Sequence, residues 1–303
     1  MTKRVALATC KDVQGVNVED RLLIAALAER DVAAEPAVWD DPSVRWEDYD
    51  LVVIRSTWDY APRRNEFVEW AKRVPHIANS AEVIEWNSDR GYLRHLEAAG
   101  VPVIPTIWID PAQNLDKRAV DTRMPAFGDF VVKPVVSEKA KDLGRYQPIS
   151  AQSRFKAIAH TMRLLDSGRW VMIQPYVTSI DTAGETCLTY VNGEYQHAVS
   201  RHALMGGTHR STVGLNLYHH DETKATTATP EQIAVAEQAF AAAREAIGIP
   251  DRAKCLYARV DLVQGDDGPL VIELGLVEPS LWLRYSGSTP TLSRFADAIA
   301  ARC

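Results

Sequence analysis

The chain has 303 residues, 46% hydrophobic and 24% charged, which is typical of a globular protein with two or three domains. A formal net charge of −6 gives no general attraction to nucleic acid or anionic membranes, and no run approaches the ~18 apolar residues that span a bilayer, so neither is expected as a partner. Four scattered cysteines without metal-site spacing favour reduced thiols and a cytoplasmic protein.

The first hundred residues alternate between strand and helix patterns. Strands are predicted at 5–10 and 50–57, and helices at 19–31, 64–73 and 87–100. In the last of these, Asn87 or Ser88 would cap the helix and Gly100 would end it. Such alternation predicts a parallel sheet flanked by helices, and we assign 1–105 to an α/β domain.

The pattern changes after residue 105. Strands at 130–136 and 170–177 with a helix at 152–166 predict a small α+β lobe over 106–178. Beyond it, Asn192-Gly193 predicts a tight hairpin, and 206–230 has no clear periodicity, as in lids, binding loops or disordered segments. An alanine-rich helix, a charged hairpin and a helix from about Pro290 complete a second α+β lobe over 179–303.

The charged hairpin, "YARVDLVQGDDGPLVIELGLVEP" from Tyr257 to Pro279, carries one cation and three carboxylates in its apolar strands. A three-residue loop at 266–268 would place Asp261 opposite Glu273, on the same face as Arg259. The other face would carry the apolar side chains Val260, Leu262, Ile272 and Leu274. Facing carboxylates repel each other and suit a cation such as Mg²⁺. An exposed face on which Arg259 pairs with Asp261 is an equal alternative.

A second charged residue, Lys133, lies within the apolar strand "FVVKPVV". Burying an ammonium is costly unless an anion meets it, so either a buried carboxylate or a nucleotide phosphate is expected nearby. The polar turn that follows contains Ser137 and Lys139 and could close over phosphates.

The chain lacks a P-loop, a dinucleotide-binding glycine fingerprint and a nucleophile elbow, which disfavours P-loop NTPases, dehydrogenases and α/β-hydrolases. Five segments follow one another along the chain in a characteristic order: "VVKP", "IQPYV", "GE", "YARVDLV" and "VIELGLVEP". Over essentially the whole chain this order resembles the ATP-grasp superfamily, especially its glutathione-synthetase-like branch. The resemblance implies an α/β plus α+β ATP-grasp fold, in which a pre-ATP-grasp parallel-sheet domain precedes two α+β lobes that enclose ATP.

The resemblance also implies roles for residues around ATP and Mg²⁺. Lys133 would contact the phosphates as a catalytic residue, Arg90 would replace a family lysine, and Ser137 and Lys139 would belong to the flap. The hinge would hold adenine and ribose through Gln174, Tyr176, Val177 and Asp181. Asp261 and Glu273 would bind Mg²⁺, and Arg259 would reach the transferred phosphate as a second catalytic residue. Gly275 stands where the family often has a metal ligand, so a third ligand would come from Glu278 or water.

The substrate is expected near "RSTWDY", which follows the carboxyl end of a strand. Arg55 could bind a substrate carboxylate, Ser56 and Thr57 could donate hydrogen bonds, and Trp58 or Tyr60 could form a wall. Alternatively, Ser56 and Thr57 shape a turn and Trp58 packs in the core. Two further candidates at the end of a later strand are Arg201 and His202.

The activity that the resemblance implies is ATP- and Mg²⁺-dependent C–N ligation of a small amino-acid-like substrate through an acyl phosphate. "RSTWDY", "VVKP" and "ELGLVEP" are similar to cyclo-ligases that close a small ring, as in the conversion of O-ureidoserine to cycloserine. An intermolecular carboxylate–amine ligase, a small-molecule kinase and a non-catalytic nucleotide-binding protein are the alternatives. A homodimer is also expected, because symmetric dimers are the commonest oligomers.

Overall fold

A computed structural model describes residues 2–13, 16–137, 141–201, 223–249, 251, 254–287 and 290–303. Its helices are α1 (Val18–Ala28), α2 (Arg64–Arg73), α3 (Ala81–Asn87), α4 (Tyr92–Ala98), α5 (Lys117–Asp121), α6 (Ala151–Asp166), α7 (Pro230–Ile247) and α8 (Thr291–Ala300). Its strands are β1 (Lys3–Thr9), β2 (Val32–Val38), β3 (Leu51–Ser56), β4 (Ile77–Ala78), β5 (Ile107–Ile109), β6 (Phe130–Pro134), β7 (Gly144–Tyr146), β8 (Val171–Pro175), β9 (Glu185–Val191), β10 (Glu194–Arg201), β11 (Thr223–Thr226), β12 (Tyr257–Gly265) and β13 (Gly268–Gly275).

The first sheet has the order β2–β1–β3–β4, and all its pairs are parallel, as predicted. The two central strands β1 and β3 are apolar runs because separate hydrophobic cores cover the two faces of the sheet. The sequence did not predict β2, which is an edge strand and contains Pro36. Proline is tolerated at a sheet edge, where its missing N–H leaves no ladder bond unmade.

The second sheet is antiparallel, with the order β5–β8–β6–β7. Phe130 and Val132 of β6 point into a core that includes residues of α6. Because side chains alternate along a strand, Lys133 lies on the opposite face of this sheet.

The third sheet is antiparallel, with the order β11–β10–β9–β12–β13. Its core face packs against α7 and α4. The predicted hairpin joins β9 to β10, and Asn192 and Gly193 both have positive φ, at 51° and 73°. Part of the aperiodic 206–230 segment is ordered, because β11 pairs with β10; residues 202–222 lie outside the described part of the chain.

The β12–β13 hairpin reaches the predicted register by a different route. The strands are joined by a two-residue turn at Asp266 and Asp267, not by a three-residue loop, and Gly265 pairs with Gly268. A bulge next to Asp261 then shifts the register by one residue, so Asp261 does lie opposite Glu273. The bulge also places Val271 in the core instead of Ile272, which corrects the predicted apolar face.

The single helix predicted over 87–100 is two helices. Asn87 ends α3, and α4 starts at Tyr92, while Gly100 follows α4 with φ +77°. The prediction failed because the Asn87 side chain does not cap a helix but bonds to the backbone of β13. Of the described helices, none has the length and apolarity needed to cross a membrane.

The strands of the three sheets come from three consecutive stretches of chain that lie within 1–105, 106–178 and 179–303. The first and third of these stretches do not pack as independent units. Val103 bridges to Val271 at the edge of the third sheet, and α4 shares the core of that sheet. The segment that connects the first domain to the small lobe is therefore attached to β13.

Candidate active site

Acidic side chains converge on the face of the third sheet that is turned away from α7. Because β12 pairs with both β9 and β13, Asp261 lies opposite Cys187 on one side and Glu273 on the other. Glu185 precedes Cys187 by two positions and shares its face. The potential ligand atoms of Glu185, Cys187 and Asp261 all lie within 4.8 Å of one another. The pairing of strands thus builds a group of donors large enough to surround one metal ion.

Arg259 and Asp261 form a bidentate ion pair on this face. Nε and Nη2 of Arg259 lie 2.7 Å and 2.6 Å from the two carboxylate oxygens, and Nη1 donates to the Ser280 carbonyl at 3.1 Å. Both residues are buried, so the predicted ion pair exists but does not lie on an exposed surface. A carboxylate has about four lone-pair positions, so Asp261 can still bind a cation while it holds the guanidinium.

A bound cation would stabilise the ionised form of the acids in this group. Burial raises the pKa of the Glu185 carboxyl; Arg201, with Nη2 3.7 Å from that carboxylate, opposes the rise, and the charge of Asp261 adds to it. Burial also raises the pKa of the Cys187 thiol well above its usual range, so the thiol is neutral. Carboxylate oxygens are ligands that Mg²⁺ prefers, whereas a neutral thiol is not. The donor set therefore fits magnesium held by acids, with Cys187 as packing.

Lys133 faces this group from the second sheet. It is 9% exposed, and among the described residues none forms a hydrogen bond or ion pair with its ammonium. Burial lowers its pKa to about 8, and Arg90 adds to that fall, whereas Glu273 and Glu185 oppose it. The buried carboxylate partner that we considered is therefore not present in this part of the chain. The buried ammonium of the second sheet thus lies within the field of Glu273 and Glu185 of the third sheet.

Arg90 links the small lobe to the acidic strand. Its Nη1 donates to the carbonyl and to the hydroxyl of Ser137 at 2.8 Å and 2.9 Å. Its Nη2 lies 3.8 Å from Oε2 of Glu273. The structure thus brings these three predicted residues together, while Lys139 lies outside the described residues.

The predicted adenine and ribose residues lie together at the end of β8: Gln174, Tyr176, Val177 and Asp181. The side chains of Gln174, Tyr176 and Asp181 form hydrogen bonds within the protein. The Tyr176 hydroxyl donates to Asp181, and the Arg145 guanidinium lies 3.6 Å from the Tyr176 ring centroid and donates to Asp181 at 3.2 Å. Gln174 donates to the Thr106 hydroxyl at 2.8 Å. These contacts tie the chain after β8 to β7 and to the segment before β5.

Arg55 has a different environment from the one we predicted. It is buried, its Nε donates to Asp20 at 2.9 Å and its Nη2 donates to Glu19 at 3.1 Å. Glu19 also accepts the backbone N–H groups of Leu281 and Leu283. The guanidinium thus joins β3 to the start of α1, where two carboxylates neutralise its charge away from solvent. The substrate role of Arg55 is not supported.

The rest of "RSTWDY" follows the alternative interpretation, a turn with core packing. The hydroxyls of Ser56 and Thr9 lie 2.8 Å apart in the interior, and Thr57 is fully buried with its carbonyl accepting from Tyr60. Tyr60 is buried in the core beneath the first sheet, and Trp58 packs against that core. The local pattern could not reveal this burial, because the covering residues come from distant segments.

Beside Glu185, the structure adds an aromatic wall that we did not predict. Trp282 packs on Cys187 and Val199, and the Arg201 guanidinium lies 5.7 Å from its ring centroid. Trp282 has φ +56°, an unusual conformation for a bulky residue. Glu185 belongs to the "GE" segment that the sequence analysis singled out, whereas no sequence pattern indicated Trp282. Arg201 thus does face the site, whereas His202 lies outside the described residues.

Of the three residues that we predicted as metal ligands, Asp261 belongs to the metal-sized donor group, whereas Glu273 and Glu278 do not. Burial raises the pKa of Tyr257; Arg55 lowers that pKa and Glu278 raises it further, so Glu278 lies near that phenol. Position 275 has little room for a larger residue, because a Cβ there would lie 3.1 Å from Cβ of Pro279. Among the described residues, Glu185 takes the place beside Asp261 that we assigned to Glu278.

Known proteins resemble this chain in sequence and in fold. Residues 5–81 match the family model described as "D-cycloserine synthetase DcsG, N-terminal domain". The cycloserine biosynthesis protein DcsG of Streptomyces lavendulae is 38% identical over 289 residues, which cover 92% of each chain. The crystal structure of D-cycloserine synthetase DcsG superposes with a TM-score of 0.86 at 35% identity over 99% of both chains.

More distant structures share the fold. The D-alanine–D-alanine ligase of Bacillus anthracis, solved in complex with ATP, has a TM-score of 0.64 at 16% identity and covers 99% of this chain and 97% of its own. This likeness confirms the ATP-grasp architecture that the ordered motifs predicted. The chain thus belongs to the family of the D-cycloserine synthetase DcsG and is an ATP-dependent C–N ligase of the ATP-grasp fold.

Proposed function

We propose that this ligase closes a ring within one small amino-acid-like substrate, in a reaction of the O-ureidoserine to cycloserine type. The observation that carries the phosphoryl-transfer part is Lys133, a buried ammonium with no bonded partner among the described residues, facing the acids of the third sheet. A triphosphate supplies the anion that this ammonium needs. The ring-closing part is supported by the similarity to DcsG over 92% of both chains.

Each cluster of residues has a distinct part in this proposal. Lys133 and Arg90 bind phosphate oxygens opposite the acids of the third sheet, and the hinge after β8 holds the adenine. Asp261, Glu273 and Glu185 hold Mg²⁺, which when bound neutralises charge on the phosphates. Arg259 is kept in place by Asp261 and Ser280 and directs its charge to the transferred group.

The small substrate binds next to the acids, at Arg201 and Trp282. Its carboxylate or carbonyl oxygen takes the γ-phosphoryl group and ADP leaves; a nitrogen of the same molecule then attacks the activated carbon, loses its proton and expels phosphate. With O-ureidoserine the ring closes on the nitrogen that carries the carbamoyl group, and hydrolysis of that group to carbon dioxide and ammonia gives cycloserine. The main requirement is positioning, because an intramolecular attack needs little covalent help from the protein.

The test is phosphate and ADP release with O-ureidoserine alone and with amino acids offered singly and in pairs. Ring closure requires turnover with O-ureidoserine as the only organic substrate and a cyclic product by mass spectrometry. Turnover only with pairs would mean intermolecular ligation, and a stable phosphorylated product would mean a kinase. Lys133→Ala should abolish release while its circular dichroism spectrum matches wild type; retained turnover would contradict the phosphate role.

A further inference from the structure

Strand β13, which carries Glu273, lies at the edge of the third sheet. Along its outer side, side chains take the place of a neighbouring strand. Nδ2 of Asn87 donates to the Leu274 carbonyl at 2.7 Å, and Oδ1 of Asn87 accepts from the Leu276 N–H at 2.7 Å. The Leu274 N–H donates to the Tyr92 hydroxyl at 2.9 Å.

These two side chains satisfy three successive backbone groups that a strand would otherwise bond. The primary amide of Asn87 offers one donor and one acceptor, as a peptide unit does. Both residues are buried, at 8% exposure for Asn87 and 3% for Tyr92, so water does not replace these bonds. The edge of β13 is therefore fixed at the residue that follows Glu273.

The segment from Asn87 to Tyr92 also contacts Glu273 directly. Arg90 lies between Asn87 and Tyr92 in the chain, and its Nη2 is 3.8 Å from Glu273. Glu273 itself has a side chain that is 39% exposed, so its own packing does not hold it. Its position opposite Asp261 depends on the backbone of β13.

We infer that Asn87 and Tyr92 are positioning residues, which hold the β13 backbone and so keep Glu273 opposite Asp261 when a divalent ion binds. This inference rests on the proposed metal role of these two acids. Mg²⁺ demands near-ideal octahedral geometry, so small displacements of one ligand weaken binding. Loss of groups that orient metal ligands typically lowers metal affinity by about 10–100-fold.

Asn79 provides a matched control. It is 1% exposed, its Nδ2 donates to the carbonyls of Tyr257 and Leu276, and its Oδ1 accepts from the Leu256 N–H. The chemistry is the same as at Asn87, but these bonds fix the start of β12 and the end of the hairpin. None of them is made to Leu274.

The experiment measures Mn²⁺ binding by electron paramagnetic resonance, with a non-hydrolysable ATP analogue present. It compares wild type with Asn87→Ala, Tyr92→Phe and Asn79→Ala, and thermal unfolding is recorded for each. We expect the Kd for Mn²⁺ to rise about tenfold or more in the first two variants. Asn79→Ala should lose at least as much thermal stability and keep the wild-type Kd.

Two results would overturn the inference. One is a wild-type Kd in folded Tyr92→Phe and Asn87→Ala; Tyr92→Phe removes only a hydroxyl and serves if Asn87→Ala does not fold. The other is equal weakening in Asn79→Ala, which would mean that the effect follows stability alone. Failure of the proposed metal role has a different signature: Asp261→Asn would then bind Mn²⁺ in the nucleotide complex as tightly as wild type.

Discussion

Replacing Lys133 by Met should make the protein more stable and inactive at the same time. Methionine has nearly the same length and keeps the apolar contacts of the lysine stem, but it removes the buried ammonium. In the free protein, burial and Arg90 lower the pKa of Lys133 from 10.5 to about 8, against the opposing pull of Glu273 and Glu185. This fall makes the charged form less favourable in the folded state by about 3 kcal/mol.

The effect of Lys133→Met has a defined pH dependence. Below pH 8 both the folded and the unfolded states carry the proton, so the burial cost of the wild type is present in full. As pH rises from 8 towards ~10.4, the folded state loses its proton first and the cost disappears. The variant should therefore unfold at higher urea concentration than wild type at pH 7, and the difference should vanish above pH 10.5.

Nucleotide binding provides the second readout. At pH 8 about half of the free wild-type Lys133 is neutral, so binding of a triphosphate should take up about half a proton. Calorimetry in buffers of different ionisation enthalpy measures this uptake, and Lys133→Met should show neither uptake nor tight binding. An exposed lysine in the same lobe, replaced in Lys117→Met, should change stability by less than about 0.5 kcal/mol. A Lys133→Met protein that is less stable than wild type at pH 7, or that still binds ATP, would refute the reasoning.

Three other substitutions test the remaining clusters. Asp261→Asn leaves the buried Arg259 guanidinium without its carboxylate, so urea denaturation should show a loss of about 3–5 kcal/mol, and Mn²⁺ binding should weaken. Arg55→Met leaves two buried carboxylates without a cation and should cost a similar ~3–5 kcal/mol; a raised substrate KM with unchanged stability would instead restore its substrate role. Burial raises the pKa of Glu185 above its ordinary value of 4.5, so its cost to the folded state is absent below that ordinary value, grows as pH rises through it and is full above the raised pKa. Glu185→Gln should therefore raise the melting temperature at pH 7 but not at pH 4, while metal affinity falls about tenfold; an equal gain at both pH values would argue against this cost.

Local patterns were enough to determine most of the architecture of this protein. Alternation of strands and helices predicted the parallel first sheet. Asn192-Gly193 predicted the β9–β10 hairpin of the third sheet, because a two-residue turn of this type needs positive φ at both positions. These features depend on residues that are neighbours in the chain or across one turn, so the sequence contains the information directly. Asp261 does lie opposite Glu273 as predicted, but this register depends on a two-residue turn and a bulge that the side-chain period did not show.

The tertiary structure alone decided which charges are available to a ligand. Arg55 looks like a substrate-binding residue in the sequence, but Glu19 and Asp20, about 36 positions earlier, neutralise it. Asn87 looks like a helix cap, but it bonds to Leu274, 187 positions later. Lys133, by contrast, keeps a buried ammonium without a bonded partner in the described part of the chain. Whether a charge is neutralised depends on which distant segments pack against it, and no local period encodes that packing.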